Sequence, residues 1–362
     1  MPTKTGRTLY NLNNLNFLEY QSSWQSPSNI ALVKYWGKHK NQIPANPSIS
    51  FTLDACYTQT HVLAKEKTNG YEFDFDIYLD DELKVGFKPK IETFFNRIIE
   101  EAKFLKDFRI EIKTHNSFPH SSGIASSASG LSALSLCLLS LKEQIENTKI
   151  ENFHQKASEW SRLGSGSASR SIYGGLVEWG KFEGLAESDD HFAIPYKGTV
   201  HPVFETFRDY VFLVEVGSKS VSSTVGHGLM KGHPFSERRF LQAHENLSSI
   251  MKAMEKGDLE QFGELVESEA LTLHAMMMSS KPYFILMKPN SIQIIDLIWQ
   301  FRKETKLPLY FTLDAGANVH LLFPADIEQK VEEFVKQRLT VYLKNGLYIC
   351  DRVGLGPKKL II

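Results

Sequence analysis

The chain has 362 residues, of which 42% are hydrophobic and 23% charged, so it is long enough to bury a substantial core in two domains. A formal net charge of -1 provides no field that would attract nucleic acid or an anionic membrane, so neither is an expected partner. Any anionic ligand must therefore be held by a local cluster of charge. The three cysteines, Cys56, Cys137 and Cys350, are widely spaced, which favours the reducing cytoplasm over a disulfide framework.

Residues 1–20 are polar and rich in asparagine, which predicts an irregular arm with no secretory signal. Nowhere does an apolar run approach the roughly 20 residues that a membrane helix needs. Beyond the arm, apolar periodicity predicts these elements in chain order: strands at 48–65 and 71–79, a helix at 89–106, a strand at 108–114, a loop opening into a long helix within 117–149, and a helix at 151–163.

The second half of the chain is predicted in the same way to contain strands at 175–180 and 209–216, helices at about 235–256, 258–276 and 290–304, a hairpin at 308–324, a helix at 325–338 and a strand near 346–351. Strands and helices come in clusters and do not alternate regularly, so the predicted class is α+β. Composition shifts near residue 200, which predicts one domain over 21–203 and another over 204–362.

Two loops rich in small residues have the composition of phosphate-binding segments. The first, PHSSGIASSASG at 119–130, opens a helix, whose N-terminus presents unpaired N–H groups to an anion. It is not a Walker A loop, because no lysine follows the glycines. The second, GSGSASRSIYGG at 164–175, contains Arg170, whose planar fork suits a carboxylate or phosphate. Each loop alone is also compatible with an ordinary helix cap or connector, and the pair together favours phosphate binding.

The segment NIALVKYWGK at 29–38 resembles a signature of the diphosphomevalonate decarboxylases, as do the two loops and TLDAGAN at 312–318. These motifs stand in family order. The resemblance implies a two-lobed GHMP-kinase fold, with an N-terminal domain like domain 2 of ribosomal protein S5 and a ferredoxin-like C-terminal domain. It also implies ATP-dependent decarboxylation of 5-diphosphomevalonate to isopentenyl diphosphate, a cytoplasmic location and a homodimer.

The resemblance further implies roles for particular residues. The catalytic candidates are Asp314, which orients and deprotonates the 3-hydroxyl of the substrate, Lys34, which offsets charge on the transferred phosphoryl group, and Arg170, which binds the substrate carboxylate. The other substrate-binding candidates are Tyr35, Lys38, Ser165, Ser167 and Ser223. The candidates for binding ATP are Ser121, Ser122, Gly123, Ala125, Ser126 and Ser127, and Ser127 is also the candidate ligand of Mg²⁺.

The sequence departs from the family pattern at three places: Pro47 lies in an Asn-Pro-Ser triplet, Ala317 replaces a proline, and His227 replaces a methionine. Two enzymes of the same fold therefore stay as alternatives, a phosphomevalonate decarboxylase and a mevalonate 3-kinase, together with a non-catalytic binding protein. Lys34, Arg170 and Asp314 are all present, which favours the complete decarboxylase. A protonated His227 would add attraction for an anion, and Lys84, Lys88 and Lys90 are predicted to form a solvated face.

Overall fold

The computed structural model describes residues 19–119, 124–217 and 221–361. The strands are β1 (Glu19–Val33), β2 (Ser48–Glu66), β3 (Asp74–Leu79), β4 (Glu82–Leu83), β5 (Phe108–Asn116), β6 (Leu176–Trp179), β7 (Ala193–Pro195), β8 (Arg208–Phe212), β9 (Tyr310–Thr312), β10 (Val319–Phe323), β11 (Tyr348–Arg352) and β12 (Lys358–Lys359). The helices are α1 (Lys88–Ile98), α2 (Ser126–Glu146), α3 (Phe153–Gly164), α4 (Ser223–Gly228), α5 (Ser236–Lys256), α6 (Leu259–Met278), α7 (Pro289–Thr305) and α8 (Glu328–Phe334).

The N-terminal half is built on an eight-stranded sheet in which the long antiparallel pair β1 and β2 is central. The order along its main path is β12-β1-β2-β5-β3-β4, and β6 and β7 extend from the other end of β2. In the second part of β2, buried and partly exposed residues alternate because one face covers the core and the other faces outward. Helix α2 is buried along most of its length and packs on this sheet with α1 and α3.

The C-terminal half contains a four-stranded antiparallel sheet in the order β11-β8-β10-β9. Helices α4 to α7 connect β8 to β9, and α8 lies between β10 and β11, which is the strand–helix connectivity of a ferredoxin-like domain. Helices and strands are segregated along the chain and the sheets are largely antiparallel, so the predicted α+β class is confirmed. Among the described residues, no helix combines the length and apolarity needed to cross a bilayer.

The predicted elements lack the central strand β1 and the short helix α4, and two predicted helices stop early. The helix predicted over 89–106 ends at Ile98, and a separate 3-10 turn (Lys103–Lys106) follows it. The helix predicted over 325–338 is divided into a 3-10 turn, the short α8 and a π-helical turn (Val335–Leu339). Strand β1 begins at Glu19, two residues inside the predicted arm, and the rest of the arm lies outside the described residues.

One apolar cluster joins the two halves of the chain. It contains Ile30 and Phe51 from β1 and β2 together with Phe204, Val211 and Phe262 from the C-terminal half. Apolar surface buried in this way stabilises the fold by about 25 cal/mol per Å². The cluster therefore fixes the end of β1, and the residues that follow it, against α5 and α6.

Candidate active site

A cleft of about 630 Å³ lies where the two halves of the chain meet. Every candidate residue that the structure describes lines it, although the motifs are far apart in sequence: Lys34, Tyr35, Lys38, Ala125, Ser126, Ser127, Ser165, Ser167, Arg170, Ser223 and Asp314. The other three candidates, Ser121, Ser122 and Gly123, lie outside the described residues. The fold thus brings the four motifs to one site.

Lys34 and Asp314 form an ion pair at the base of the cleft. Their Nζ and Oδ1 atoms are 3.0 Å apart, and the Lys34 ammonium also donates to the carbonyl of Ala31 at 2.6 Å. Lys34 is almost completely buried, whereas about a quarter of the Asp314 side chain is accessible from the cleft. Burial lowers the pKa of Lys34, and the neighbouring Asp314 carboxylate opposes that effect. A cation and a carboxylate are therefore held together beside the space for a ligand.

Arg170 is buried and held in a fixed orientation by neutral oxygens. Its Nη1 donates to Ser48 at 2.6 Å, and its Nε donates to Ser50 at 3.1 Å and to Asn29 at 3.3 Å. The guanidinium lies 5.8 Å from the centre of the Trp179 ring. Burial lowers its pKa to about 10, so it stays charged at neutral pH. Among the described residues these bonds use Nε and Nη1, which leaves donors of the five-donor fork for a ligand in the cleft.

Helix α2 begins at the edge of the cleft, after Ala125. Ala125 has a left-handed backbone with φ of 42°, a conformation that costs about 1 kcal/mol or more for a residue with a side chain. Ser126 and Ser127, in the first turn of α2, line the cleft. The start of α2 therefore lies at the cleft, and the prediction that it binds an anion stays a prediction.

Lys90 is exposed, as predicted for a solvated face, but it also lines the cleft. Lys90 extends from α1 into the cleft, where its Nζ donates to Ser127 Oγ at 2.9 Å. Protein atoms around the ammonium lower its pKa to about 8, and the nearby Lys38 adds to the effect. Thr93 and Arg97 follow on the same helix face, at spacings of three and seven residues that the sequence already contained.

His227 does not supply the extra positive charge that a protonated ring would give. Its Nδ1 accepts the backbone N–H of Gly37 at 3.0 Å, and its ring packs against Tyr35 and Trp36. Burial lowers the pKa of His227 to about 3, and Lys38 and Arg170 contribute to the shift. His227 is therefore neutral and holds the backbone that carries Tyr35 and Lys38.

Tyr35 and Lys38 occupy one side of the cleft. The hydroxyl of Tyr35 is buried and has no hydrogen-bond partner among the described residues. Burial lowers the pKa of Lys38, and Arg97 adds to the effect. Ser223 is exposed at the first turn of α4. An unpaired buried hydroxyl costs free energy unless a ligand completes its bonding, so this side of the cleft fits a ligand with several oxygen acceptors.

Glu178 on β6 is completely buried beside this region, and neither of its carboxylate oxygens has a hydrogen-bond partner among the described residues. Burial raises its pKa to about 8, although Arg170 acts in the opposite direction. The carboxyl group is consequently protonated at neutral pH, which is the form that an unpaired buried acid adopts.

Replacing Glu178 by glutamine is expected to remove a pH dependence of stability. The folded chain keeps a proton on Glu178 that the unfolded chain releases, so the free energy of unfolding falls as pH rises from about 4.5 to about 8. Glu178→Gln cannot ionise, so its stability relative to the native chain should rise by up to about 1.4 kcal/mol for each pH unit across that range. Urea unfolding at pH 5.5 and pH 8 measures this, with the exposed Glu92→Gln as control. If the free energy of unfolding changed with pH by the same amount in Glu178→Gln and in the native chain, Glu178 would not be protonated in the folded state.

The charge lining the cleft is strongly unbalanced. Among the described residues, Asp314 is the one acidic side chain that lines the cleft. Five basic side chains line it as well: Lys34, Lys38, Lys90, Arg97 and Arg170. Low-dielectric walls focus such a field and raise the local concentration of anions. Since the chain as a whole is nearly neutral, this local excess indicates a site for polyanionic ligands with a carboxylate available to handle a proton.

This two-domain fold is shared with solved structures of the GHMP-kinase-like fold. Residues 26–192 match the family model of the diphosphomevalonate decarboxylase-like N-terminal domain. Residues 210–350 match the model of the mevalonate 5-diphosphate decarboxylase C-terminal domain. The chain belongs to the diphosphomevalonate decarboxylase family.

Individual relatives agree with this membership. The diphosphomevalonate decarboxylase of Saccharomyces cerevisiae is 30% identical over 334 residues, which cover 87% of this chain and 81% of the relative. The structure of MDDEF in complex with MVAPP, AMPPCP and magnesium is 27% identical with a TM-score of 0.81, covering 95% of this chain and 99% of that one. A phosphomevalonate decarboxylase of Haloferax volcanii is 25% identical over 309 residues, which cover 84% of this chain and 88% of the relative.

Proposed function

We propose that this protein decarboxylates (R)-5-diphosphomevalonate with ATP, forming isopentenyl diphosphate, ADP, phosphate and CO₂. The observation that carries the proposal is the Lys34–Asp314 pair, which shares a strongly basic cleft with Arg170. Membership of the family supports the substrate and the reaction. A binding protein without activity is disfavoured, because it has no need to keep a carboxylate paired with a buried lysine in the cleft.

The cleft residues supply the groups that this reaction needs. Asp314 accepts the proton of the 3-hydroxyl as that oxygen attacks the terminal phosphorus of ATP, and Lys34 offsets the negative charge that accumulates there. The C3–O bond then breaks and its electrons leave with phosphate. The C1–C2 bond breaks as CO₂ departs, and its electron pair forms the C2–C3 double bond. Arg170 holds the carboxylate, with Ser165 and Ser167 beside it, until this step.

The nucleotide phosphates fit the start of α2. They bind to Ser126, Ser127 and the first N–H groups of the helix, and Lys90 adds a cation. The small side chain of Ala125 lets the phosphates come close to the backbone. Mg²⁺ fits the same place, because the Ser127 hydroxyl is an oxygen ligand and Mg²⁺ takes its other ligands from phosphates and water. When bound, Mg²⁺ neutralises charge on the phosphates. With Ser127 engaged in this way, Lys90 would donate to a phosphate oxygen.

A second cavity of about 170 Å³ fits the adenine base. It shares Lys90, Ser126 and Ser127 with the cleft and extends between α1 and the sheet. Its walls are mainly apolar, and threonine and asparagine side chains provide the polar groups that orient a base: Thr58, Thr60, Thr114 and Asn116. A nucleotide therefore lies with its base in this cavity and its phosphates at α2.

The 5-diphosphate is proposed to lie against Tyr35, Lys38 and Ser223. Losing one charge-assisted contact worth roughly 1.5–3 kcal/mol lowers kcat/KM about tenfold to a hundredfold, so the diphosphate is expected to be preferred over the monophosphate. Lys38→Met should largely lose that preference. The matched control is Lys88→Met, because Lys88 pairs with Asp76 outside the cleft. Measuring kcat/KM for both substrates checks the prediction, and an unchanged preference in Lys38→Met would contradict it.

Product analysis tests the function as a whole. Mevalonate, its 5-phosphate and its 5-diphosphate are each incubated with ATP and Mg²⁺, and the products are identified by mass spectrometry. Because the departing phosphate takes up the electrons of the broken C–O bond, ADP, phosphate and CO₂ should form in equal amounts from the diphosphate. ADP without CO₂ would make the protein a mevalonate 3-kinase. Faster turnover of the monophosphate would make it a phosphomevalonate decarboxylase, like the relative from Haloferax volcanii.

Three further assignments accompany this function: a cytoplasmic location, a homodimer, and a division of the chain into an arm at 1–20 and domains at 21–203 and 204–362. The two family models match on either side of residue 203, which supports the division. Sedimentation of the purified protein tests the homodimer, and a single species with the mass of one chain would refute it.

A further inference from the structure

The backbone of Lys34 is held by side chains from the opposite half of the molecule. Its N–H donates to Glu269 Oε2 at 2.8 Å, and its carbonyl accepts from Arg239 Nη2 at 3.1 Å. Asn46 also donates to that carbonyl, at 3.0 Å. Glu269 belongs to α6 and is 235 residues from Lys34 in the chain. The peptide groups on both sides of the Lys34 Cα are therefore bonded to α5 and α6.

Glu269 and Arg239 form an ion pair with each other, and neither side chain is exposed to solvent. Two hydrogen bonds of 2.9 and 2.5 Å join the guanidinium to the carboxylate, and Asn246 donates to Glu269 at 2.7 Å. Burying two charges has a desolvation cost that the pairing only about balances, so the pair adds little to stability compared with apolar residues. Glu269 and Arg239 also hydrogen-bond the backbone of Lys34, and a pair of apolar side chains could not make these bonds.

We propose that Glu269 and Arg239 are positioning residues that place the Lys34 ammonium against Asp314 and the reacting phosphoryl group, an inference that rests on the proposed function. Lys34 lies just beyond the end of β1, where strand hydrogen bonds no longer fix the backbone. Asp314 is presented by the C-terminal half, between β9 and β10. Helices α5 and α6 belong to the same C-terminal half as Asp314. By binding the Lys34 backbone, Glu269 and Arg239 therefore fix Lys34 relative to Asp314.

Glu269 also influences the charge of Lys34. The charged groups that act on Lys34 come from several elements: Asp314, Glu269, Arg170, Arg239 and Asp209. Glu269 and Asp314 favour the protonated amine, whereas burial and Arg170 favour the neutral one. Removing the Glu269 charge should lower the pKa of Lys34. The alkaline decline of kcat would then move to lower pH, which a purely structural role does not predict.

The test uses the full chain and compares three variants. Glu269→Gln removes the charge and keeps the shape, and a double variant, Arg239→Met with Glu269→Met, replaces the whole buried pair by apolar side chains. Glu267→Gln is the matched control, because Glu267 lies on the same helix in a buried pair with Arg302 and has no contact with the cleft. The measurements are urea unfolding, kcat and KM against pH, and hydrogen exchange of peptides that span residues 29–38.

Glu269→Gln and the double variant should lose about tenfold to a hundredfold in kcat, as displacing a catalytic group by about 1 Å does, with a smaller change in KM. The double variant should unfold at nearly the urea concentration of the native chain yet remain impaired. Hydrogen exchange at 29–38 should quicken in both, and not in Glu267→Gln. If the double variant is as active as the native chain, or if exchange at 29–38 is unchanged, the proposal is overturned.

The exchange measurement separates this proposal from the proposed function. A native protein that turned over none of the mevalonate derivatives would refute the function. Faster exchange at 29–38 in the double variant would still support the hold on Lys34, and unchanged exchange would refute it.

Discussion

Replacing Asp314 by alanine is expected to lower kcat by a factor on the order of 10²–10⁴ and to change substrate binding far less. The carboxylate is bonded to Lys34 and reaches the cleft, and in the proposed function it accepts the proton of the hydroxyl that attacks ATP. Steady-state kinetics with the diphosphate measure the effect. Asp314→Asn separates the two roles of the carboxylate. An amide keeps the size and a hydrogen bond but cannot accept the proton, so it should be as slow as alanine if proton transfer dominates.

The control for this experiment is Asp351→Ala. Asp351 is a buried carboxylate on β11 of the same C-terminal sheet, accepts the backbone N–H of Cys56 at 2.7 Å and does not line the cleft. Its loss should reduce the stability to urea and leave kcat of the folded protein near the native value. An Asp314→Ala variant that retained more than about a tenth of native kcat would remove Asp314 from the chemistry.

Replacing Arg170 by lysine is expected to lower kcat/KM by roughly a hundredfold or more, although the charge is kept. Two charge-assisted bonds to the substrate carboxylate, at about 1.5–3 kcal/mol each, depend on the planar fork. An ammonium cannot reproduce that geometry, and it also cannot satisfy Ser48, Ser50 and Asn29 at once. The loss should be visible with the natural substrate in steady-state kinetics.

Arg162→Lys provides the comparison. Arg162 is a buried arginine eight residues earlier, and it donates hydrogen bonds to the backbone carbonyls of His191 and Asn41, which lie outside the cleft lining. We expect a stability loss there with a much smaller change in kcat/KM. Near-native kinetics in Arg170→Lys would show that Arg170 supports its loop and does not bind the substrate.

Local patterns allowed much of the fold to be predicted from sequence. The long strand β2 and the long helix α2 were predicted because apolar periodicity is a short-range property that a buried face imposes directly. The end of α1 was missed, since the apolar pattern continues through the separate turn at Lys103–Lys106. The division of the segment around α8 was missed for the same reason.

The candidate site was predicted from its sequence motifs, and contacts made by residues outside those motifs were missed. Lys90 was assigned to a solvated face because a lysine-rich stretch usually is one, and only the packing of α1 beside α2 directs it into the cleft. Whether His227 is charged depends on burial and on the Gly37 N–H, which no local sequence pattern shows. Glu269 and Arg239 contact Lys34 through tertiary structure alone, and their helices look like ordinary amphipathic ones.

The distance along the chain between Lys34 and Asp314 also has a consequence for protein synthesis. The two residues are 280 positions apart, and a ribosome adding about 5–20 residues per second needs roughly 15–60 s to cover that distance. Until α5 and α6 emerge, the apolar residues at the end of β1, such as Ile30 and Leu32, lack the partners that bury them. The nascent chain therefore exposes an apolar strand for most of its translation, and chaperones that shield the N-terminal half should raise the yield of active enzyme.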